Sequence, residues 1–128
     1  MCYTDCMEHT FRPVVSVRIF AEEKCFGPGV AQLLRNVEDK HSLRAAAISI
    51  GMAYSKAWTI IKNAEKSLGF ELLVSTTGGK NGGGASLSQQ AMSLLAAYEQ
   101  YCTDIRTYAQ KEFDARFAHI LYAEANPE

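Results

Sequence analysis

The stretch "HSLRAAAISIGMAYSKAWTIIKNAEKSLGF", His41 to Phe70, constrains the fold more than any other part of the chain. It carries two apolar periodicities of helical spacing, broken at Gly51 and closed at Gly69. Ser42 suits the cap of a first helix with Leu43, Ala46, Ala47 and Ile50 on its inner face; a glycine such as Gly51 is the residue best able to take the positive φ that ends one. A second helix is predicted from near Tyr54, burying Ala57, Ile60, Ile61, Ala64 and Leu68. The alanines at 45 to 47 let the two helices approach closely. Two helices meeting at a glycine corner make a helix-turn-helix.

At 3.6 residues per turn the outward face of the second helix displays Ser55, Lys56, Thr59, Lys62, Asn63 and Lys66. These are donors suited to base edges and phosphates in a major groove. The same pattern also describes the solvated face of any amphipathic helix. Trp58 falls between the two faces and is expected in the core or in helix packing, given the area a tryptophan buries. Net charge over the chain is −1, but from Ser42 to Gly84 the balance is +3 and from Ala85 onward −3. The charge distribution therefore favours phosphate near the middle of the chain and not at its end.

Immediately downstream, "TTGGKNGGGA" places five of the nine glycines within seven residues. A phosphate-binding P-loop would run Gly-Lys-Ser/Thr straight into a helix, whereas Lys80 is followed by Asn81 and more glycine. A dinucleotide fingerprint would sit between the strand and helix of a βαβ unit, which this order does not supply. Two readings stay open: a flexible linker, or a hairpin tip between an apolar run at Leu72 to Val74 and a returning strand at Ala85 to Leu87. As a hairpin after a helix-turn-helix it is a wing, and its tip, with Thr76, Thr77, Lys80 and Asn81, would bring backbone N–H groups close to phosphate because glycine has no Cβ.

The remaining elements frame this centre. "PVVSVRIFAEE" alternates Val15, Val17 and Ile19 with Ser16, Arg18 and Phe20, as in a half-buried strand. "FGPGVAQLLRNVEDKH" puts Pro28 in the first turn of a helix with Val30, Leu33, Leu34 and Val37 on one face. Beyond Ser88, a plausible cap, an uninterrupted stripe of Ala91, Leu94, Leu95, Tyr98, Tyr101, Cys102, Ile105, Tyr108 and Phe113 predicts a long helix. Extended at about 1.5 Å per residue, it reaches roughly 50 Å, more than a domain of this size needs for its own core. We expect Leu94, Leu95, Tyr98, Tyr101, Ile105, Tyr108 and Phe113 to form a homodimer seam, continued by Phe117, Ile120, Leu121 and Tyr122. The alternative is a helix folded back onto the first one.

At 128 residues, 48% hydrophobic and 21% charged, the chain has the balance of one globular domain, not of a disordered or membrane-spanning one. No window is long and apolar enough to cross a bilayer and no secretory signal is read at the N-terminus, so a cytoplasmic location is expected. Cys2, Cys6, Cys25 and Cys102 are too scattered for a disulfide framework. Cys2, Cys6 and His9 lack the second pair of ligands that metal sites use. No Ser/His/Asp or Cys/His constellation supports catalysis. No enzyme activity, metal or cofactor is expected.

From about Phe26 to Ser88 the chain resembles the N-terminal winged-helix domain of the molybdate-responsive ModE family of transcriptional regulators, relatives of the LysR-type DNA-binding domains. "FGPG" opening the first helix, "SLRAAAISIGMAYSKAWTIIKNAEKSLG" as the helix-turn-helix and "STTGGKNGGGASLS" as the wing carry the resemblance. It implies a homodimeric DNA-binding module in which Ser55, Lys56, Trp58, Thr59 and Lys62 belong to the recognition helix and Thr77, Gly78, Gly79, Lys80 and Asn81 to the wing. Two departures stand out. Ala53 occupies the place where the family usually has a capping serine, and the sequence ends at Glu128 without the oxyanion-binding domains of the molybdate-sensing members. Molybdate is therefore not expected as a partner of this chain alone.

The resulting expectation is a mostly α fold with a small β-hairpin wing, an α+β winged helix-turn-helix with a long C-terminal dimerisation helix. Residues 1–13 are expected to be a flexible tail, 14–87 the winged helix and 88–124 the dimerisation helix. The expected partners are double-stranded DNA and a second copy of the chain, with no membrane. Such a dimer would read a pseudo-palindromic operator. The alternative function is a winged-helix protein-interaction module without specific DNA binding.

Overall fold

The computed structural model describes residues 10–76 and 84–122. The elements run β1 (Ile19–Phe20), β2 (Lys24–Phe26), α1 (Pro28–Lys40), α2 (Leu43–Ser49), α3 (Tyr54–Leu68), β3 (Leu73–Thr76), β4 (Gly84–Leu87) and α4 (Gln89–Leu121). This is the winged helix followed by a long helix that the sequence led us to expect.

Helix ends follow from local chemistry. Pro28 lies in the first turn of α1, where its missing N–H leaves no bond unmade. The Ser42 hydroxyl accepts the Ala45 N–H at 3.0 Å and caps α2. Gly51 and Gly69 take positive φ of 71° and 88° at the ends of α2 and α3. Ser88 Oγ accepts the Ala91 N–H at 3.0 Å at the head of α4 and donates to the Glu71 carbonyl at 2.6 Å. α3 begins at Ala53 with no side-chain cap, as the departure from the family's serine implied, forgoing about 1 kcal/mol. One terminus was not anticipated: α1 closes on His41 in the left-handed region, φ 60°, where glycine is the usual occupant.

Two compact units divide the chain, one of Ser16–Glu99 and one of Met1–Val15 with Gln100–Glu128. In the first, Phe26, Leu33, Leu34, Val37, Ile61, Leu72 and Leu95 are the large side chains withdrawn entirely from solvent. Each contributes about 1.5–3 kcal/mol relative to exposure. The first eleven residues of α4 belong to this unit.

The N-terminal strand is shorter than expected. The run from Val15 to Phe20 alternates as a strand does, yet only Ile19–Phe20 pairs, with Lys24–Phe26, and Val15 is exposed, as is Val14 before it. A strand needs a ladder partner, and β2 offers three residues. The Val17 carbonyl accepts instead from the Tyr98 hydroxyl at 2.8 Å. In the second unit the tail is not free over its whole expected length: the Phe11 N–H donates to the Tyr122 hydroxyl at 2.9 Å and the two rings meet edge-on at 5.5 Å. Residues 1–9, including Cys2, Cys6 and His9, lie outside the described residues, as do 123 and 124 at the end of the expected dimerisation segment. Among the described residues no helix is long and apolar enough to cross a membrane, and no group of His, Cys, Asp and Glu is placed to hold a metal.

Candidate nucleic-acid interface

The site is built on α3. Ala57, Ile61 and Ala64 bury its inner line, with Ile60 and Leu68 only half-buried beside them. Every outward residue expected to meet DNA, namely Ser55, Lys56, Thr59, Lys62, Asn63 and Lys66, is exposed. α2 is seated by Leu43, Ala46 and Ala47, while Ile50 is half-buried at the corner. The Asn36 amide donates to Ser49 Oγ at 3.0 Å and ties α1 to α2.

The strands on either side of the glycine cluster pair in antiparallel register, Leu73 with Leu87, Val74 with Ser86, Ser75 with Ala85 and Thr76 with Gly84. That pairing makes β3 and β4 a two-stranded antiparallel hairpin. Its base docks on the end of α1, because the Ala85 N–H donates to the His41 carbonyl at 3.0 Å. A Cβ on Gly84 would lie 2.5 Å from that carbonyl oxygen, so the position demands glycine for space. Thr77, Gly78, Gly79, Lys80 and Asn81, the expected wing contacts, lie outside the described residues.

Glu65 joins the hairpin to α3. Its carboxylate accepts the Leu72 N–H at 2.7 Å and the Leu73 N–H at 3.2 Å, and its other oxygen meets Lys62 Nζ at 3.2 Å. The side chain is only 10% exposed, so these bonds are made largely away from water. Glu65→Ala strands two backbone donors at the start of β3 and is expected to destabilise the fold by about 1–3 kcal/mol, read as a lower urea midpoint with an unchanged slope.

The exposed face of α3 is divided between two surroundings. Lys62 looks onto a cleft of about 560 Å³ lined by Ser42, Leu43 and Arg44 of the α2 start, Tyr54, Trp58 and Ile61 of α3, and Leu73, Ser75, Gly84 and Ala85 of the hairpin. Asn63 and Lys66 look instead onto a depression shared with Glu22, Glu23 and Lys24. That depression holds carboxylates beside Lys66, while Lys62 is itself paired with Glu65, neither of which the helical spacing by itself revealed.

Trp58 departs from the expectation of core packing: it is 47% exposed, on the cleft wall, with Lys62 Nζ 5.6 Å from its ring centroid. Ala57, Ile61 and Ala64 form the buried line of α3, and Trp58 stands beside it. Arg44, not singled out from the sequence, lies with its guanidinium carbon 4.3 Å from the Tyr54 ring centroid. The signal was present in the spacing: Tyr54, Trp58 and Lys62 recur every four residues, one stripe beside the polar face, and Arg44 is the single basic residue of α2.

The expected dimer residues are also divided. Leu95, 1% exposed, and Tyr98 belong to the core of the winged helix, where the Tyr98 ring meets Phe26 edge-on at 5.0 Å. Leu94, Ile105 and Phe113 are half-buried, and Tyr101 and Tyr108 are exposed.

A helix-turn-helix with a hairpin wing and a polar, basic second helix defines a DNA-binding module of the winged-helix class. Residues 30–93, half of the chain, match the bacterial regulatory helix-turn-helix proteins of the lysR family, and the chain belongs to that family. It is similar to the transcriptional regulator ModE of Yersinia pestis, 35% identical over 76% of this chain and 34% of that protein. It is also similar to the DNA-binding transcriptional dual regulator ModE of Escherichia coli K12, 30% identical over 73% of this chain and 34% of the relative. The molybdenum transport protein ModE of Herbaspirillum seropedicae is 34% identical over 53% of this chain and 25% of its own length. The chain thus spans about a quarter to a third of these relatives. What it shares with them is the helix-turn-helix of the lysR type.

Proposed function

We propose that two copies of this chain read a pseudo-palindromic operator, each placing α3 in a major groove and its glycine-rich wing along the backbone or minor groove. The observation that carries this is the polar face of α3, with Ser55, Lys56, Thr59, Lys62, Asn63 and Lys66 all exposed beside a hairpin anchored to the same helix. Two recognition helices on a two-fold axis address half-sites about 34 Å apart or a multiple of it. Support for a second copy comes from the unit of Met1–Val15 and Gln100–Glu128, which leaves Tyr101, Tyr108, Phe117 and Ile120 exposed along α4. The names of the relatives make genes of molybdenum uptake the first operators to examine.

Selection of bound fragments from genomic DNA, followed by titration of the enriched pool against random DNA at two salt concentrations, tests this reading. A shared two-fold motif bound about a thousandfold more tightly than random DNA is the expected result. No enrichment, with weak binding that vanishes in salt, would turn the exposed face of α4 into the surface of a protein-interaction module.

A further inference from the structure

We infer that the turn between β1 and β2, through Glu22 and Glu23, holds DNA phosphate off the C-terminal half of α3, and that these two carboxylates thereby sharpen the choice between an operator and other DNA. This rests on the DNA-binding reading above and adds residues that oppose a duplex to those that hold one.

The turn is fixed beside α3. Ile19–Phe20 pairs with Lys24–Phe26, and the Ala21 N–H donates to the Glu23 carbonyl at 2.9 Å. Cys25 and Phe26, which follow, are buried, so the turn is carried by a strand seated in the core. Glu22 and Glu23 share a depression of about 680 Å³ with Lys24 and with Asn63 and Lys66 of α3. All five residues are exposed.

Neither carboxylate takes part in an ion pair among the described residues. Two carboxylates and two lysines leave the depression neutral, and a polyanion entering it gains no net attraction. The other end of the same face differs. Tyr54–Ile61, the first two turns of α3, contain no acid, and Lys56 is exposed there without an ion pair among the described residues. Charges act on one another over about 10 Å at roughly 0.1 M salt, so Glu22 and Glu23 reach phosphate without touching it.

The repulsion falls unequally on different DNA. A random duplex is held by phosphate contacts in many registers, and some of those bring a backbone against the turn. An operator is held in one register by base contacts, which the acid-free half of α3 can make while its backbone stays clear. Like charge placed against the wrong arrangement therefore raises the ratio of the two affinities.

The full chain and the double variant Glu22→Gln, Glu23→Gln are titrated with an end-labelled mixed-sequence duplex and with the most enriched genomic fragment, over a series of salt concentrations. Glutamine keeps the shape and breaks no ion pair. The variant is expected to bind the mixed duplex about tenfold more tightly at low salt and the enriched fragment at most about twofold more tightly. Lys66→Ala should leave the slope of log affinity against log salt nearly unchanged in the natural chain and lower it by about one per protomer in the double variant. Asp104→Asn, Asp114→Asn on α4 makes the same change in net charge and keeps the acceptor for each glutamine amide. It should leave the ratio of the two affinities as it is.

If the glutamine variant gains no more on the mixed duplex than the α4 variant does, charge at the turn does not reach phosphate; the proposal is then wrong and the DNA-binding reading stands. Equal gains on both duplexes, or an equal loss of slope from Lys66→Ala in both backgrounds, would overturn it as well. Absence of duplex binding by the natural chain and the variant alike would remove the DNA-binding reading and this role of the turn with it.

Discussion

Leu95→Ala is expected to lower the unfolding free energy by about 2–5 kcal/mol, a large share of the stability of a domain this size. Leu95 is 1% exposed and lies in α4 one turn before Tyr98, whose hydroxyl and ring hold Val17 and Phe26. Truncating its side chain leaves a cavity in the core of the unit Ser16–Glu99. Urea unfolding followed by circular dichroism reads the effect directly. Tyr101→Ala, at a position 56% exposed, is expected to change the same midpoint by less than a fifth as much. If the two variants melt alike, the division of the α4 stripe into core and outer face described above is wrong.

The double variant Tyr101→Glu, Tyr108→Glu is expected to have the largest effect on function. Both rings are exposed in the single chain, at 56% and 62%. In a seam between two copies of α4 each glutamate would have to be desolvated without a partner. The variant should be monomeric by light scattering and should bind a two-fold operator at least about a hundredfold more weakly, because the second half-site no longer adds to the first. Binding to a single half-site should be little changed. A dimer that survives both substitutions would locate the seam elsewhere, and the exposed residues Phe117 and Ile120 would be the next positions to alter.

Legibility in the sequence tracked how local the governing physics was. Ser42, Gly51, Gly69 and Ser88 act through bonds to neighbours within a few residues, and each stands at a helix end as their chemistry implied. The hairpin was legible in outline, from Leu72 to Val74 and from Ala85 to Leu87, because both runs flank one turn-forming cluster, while the ladder itself pairs Leu73 to Thr76 with Gly84 to Leu87. What escaped depends on contacts distant in sequence. Periodicity along α4 marks Leu95 and Tyr101 identically, and only the position of Phe26 and Val17 decides that the residues around Tyr98 are core. Likewise the spacing of Trp58 is compatible with either face of α3, and only the folded arrangement sets it beside the buried line of Ala57, Ile61 and Ala64 and half-exposed. Glu65 reads in sequence as one acid diminishing a basic surface, and its role as a strand anchor appears only once Leu72 and Leu73 are folded back beside it.

The glycine cluster is not uniform in what it does. Gly84 belongs to the paired part of the hairpin, with its N–H donated to Thr76 Oγ1 at 3.1 Å and the His41 carbonyl filling the space a Cβ would need. The wing is therefore registered against the end of α1 at one fixed point, and that point coincides with the left-handed residue from which the chain turns into α2. An engineer wishing to exchange wing tips between relatives has a natural splice: Thr76 and Gly84 are kept as the socket, and the seven residues between them are the interchangeable part.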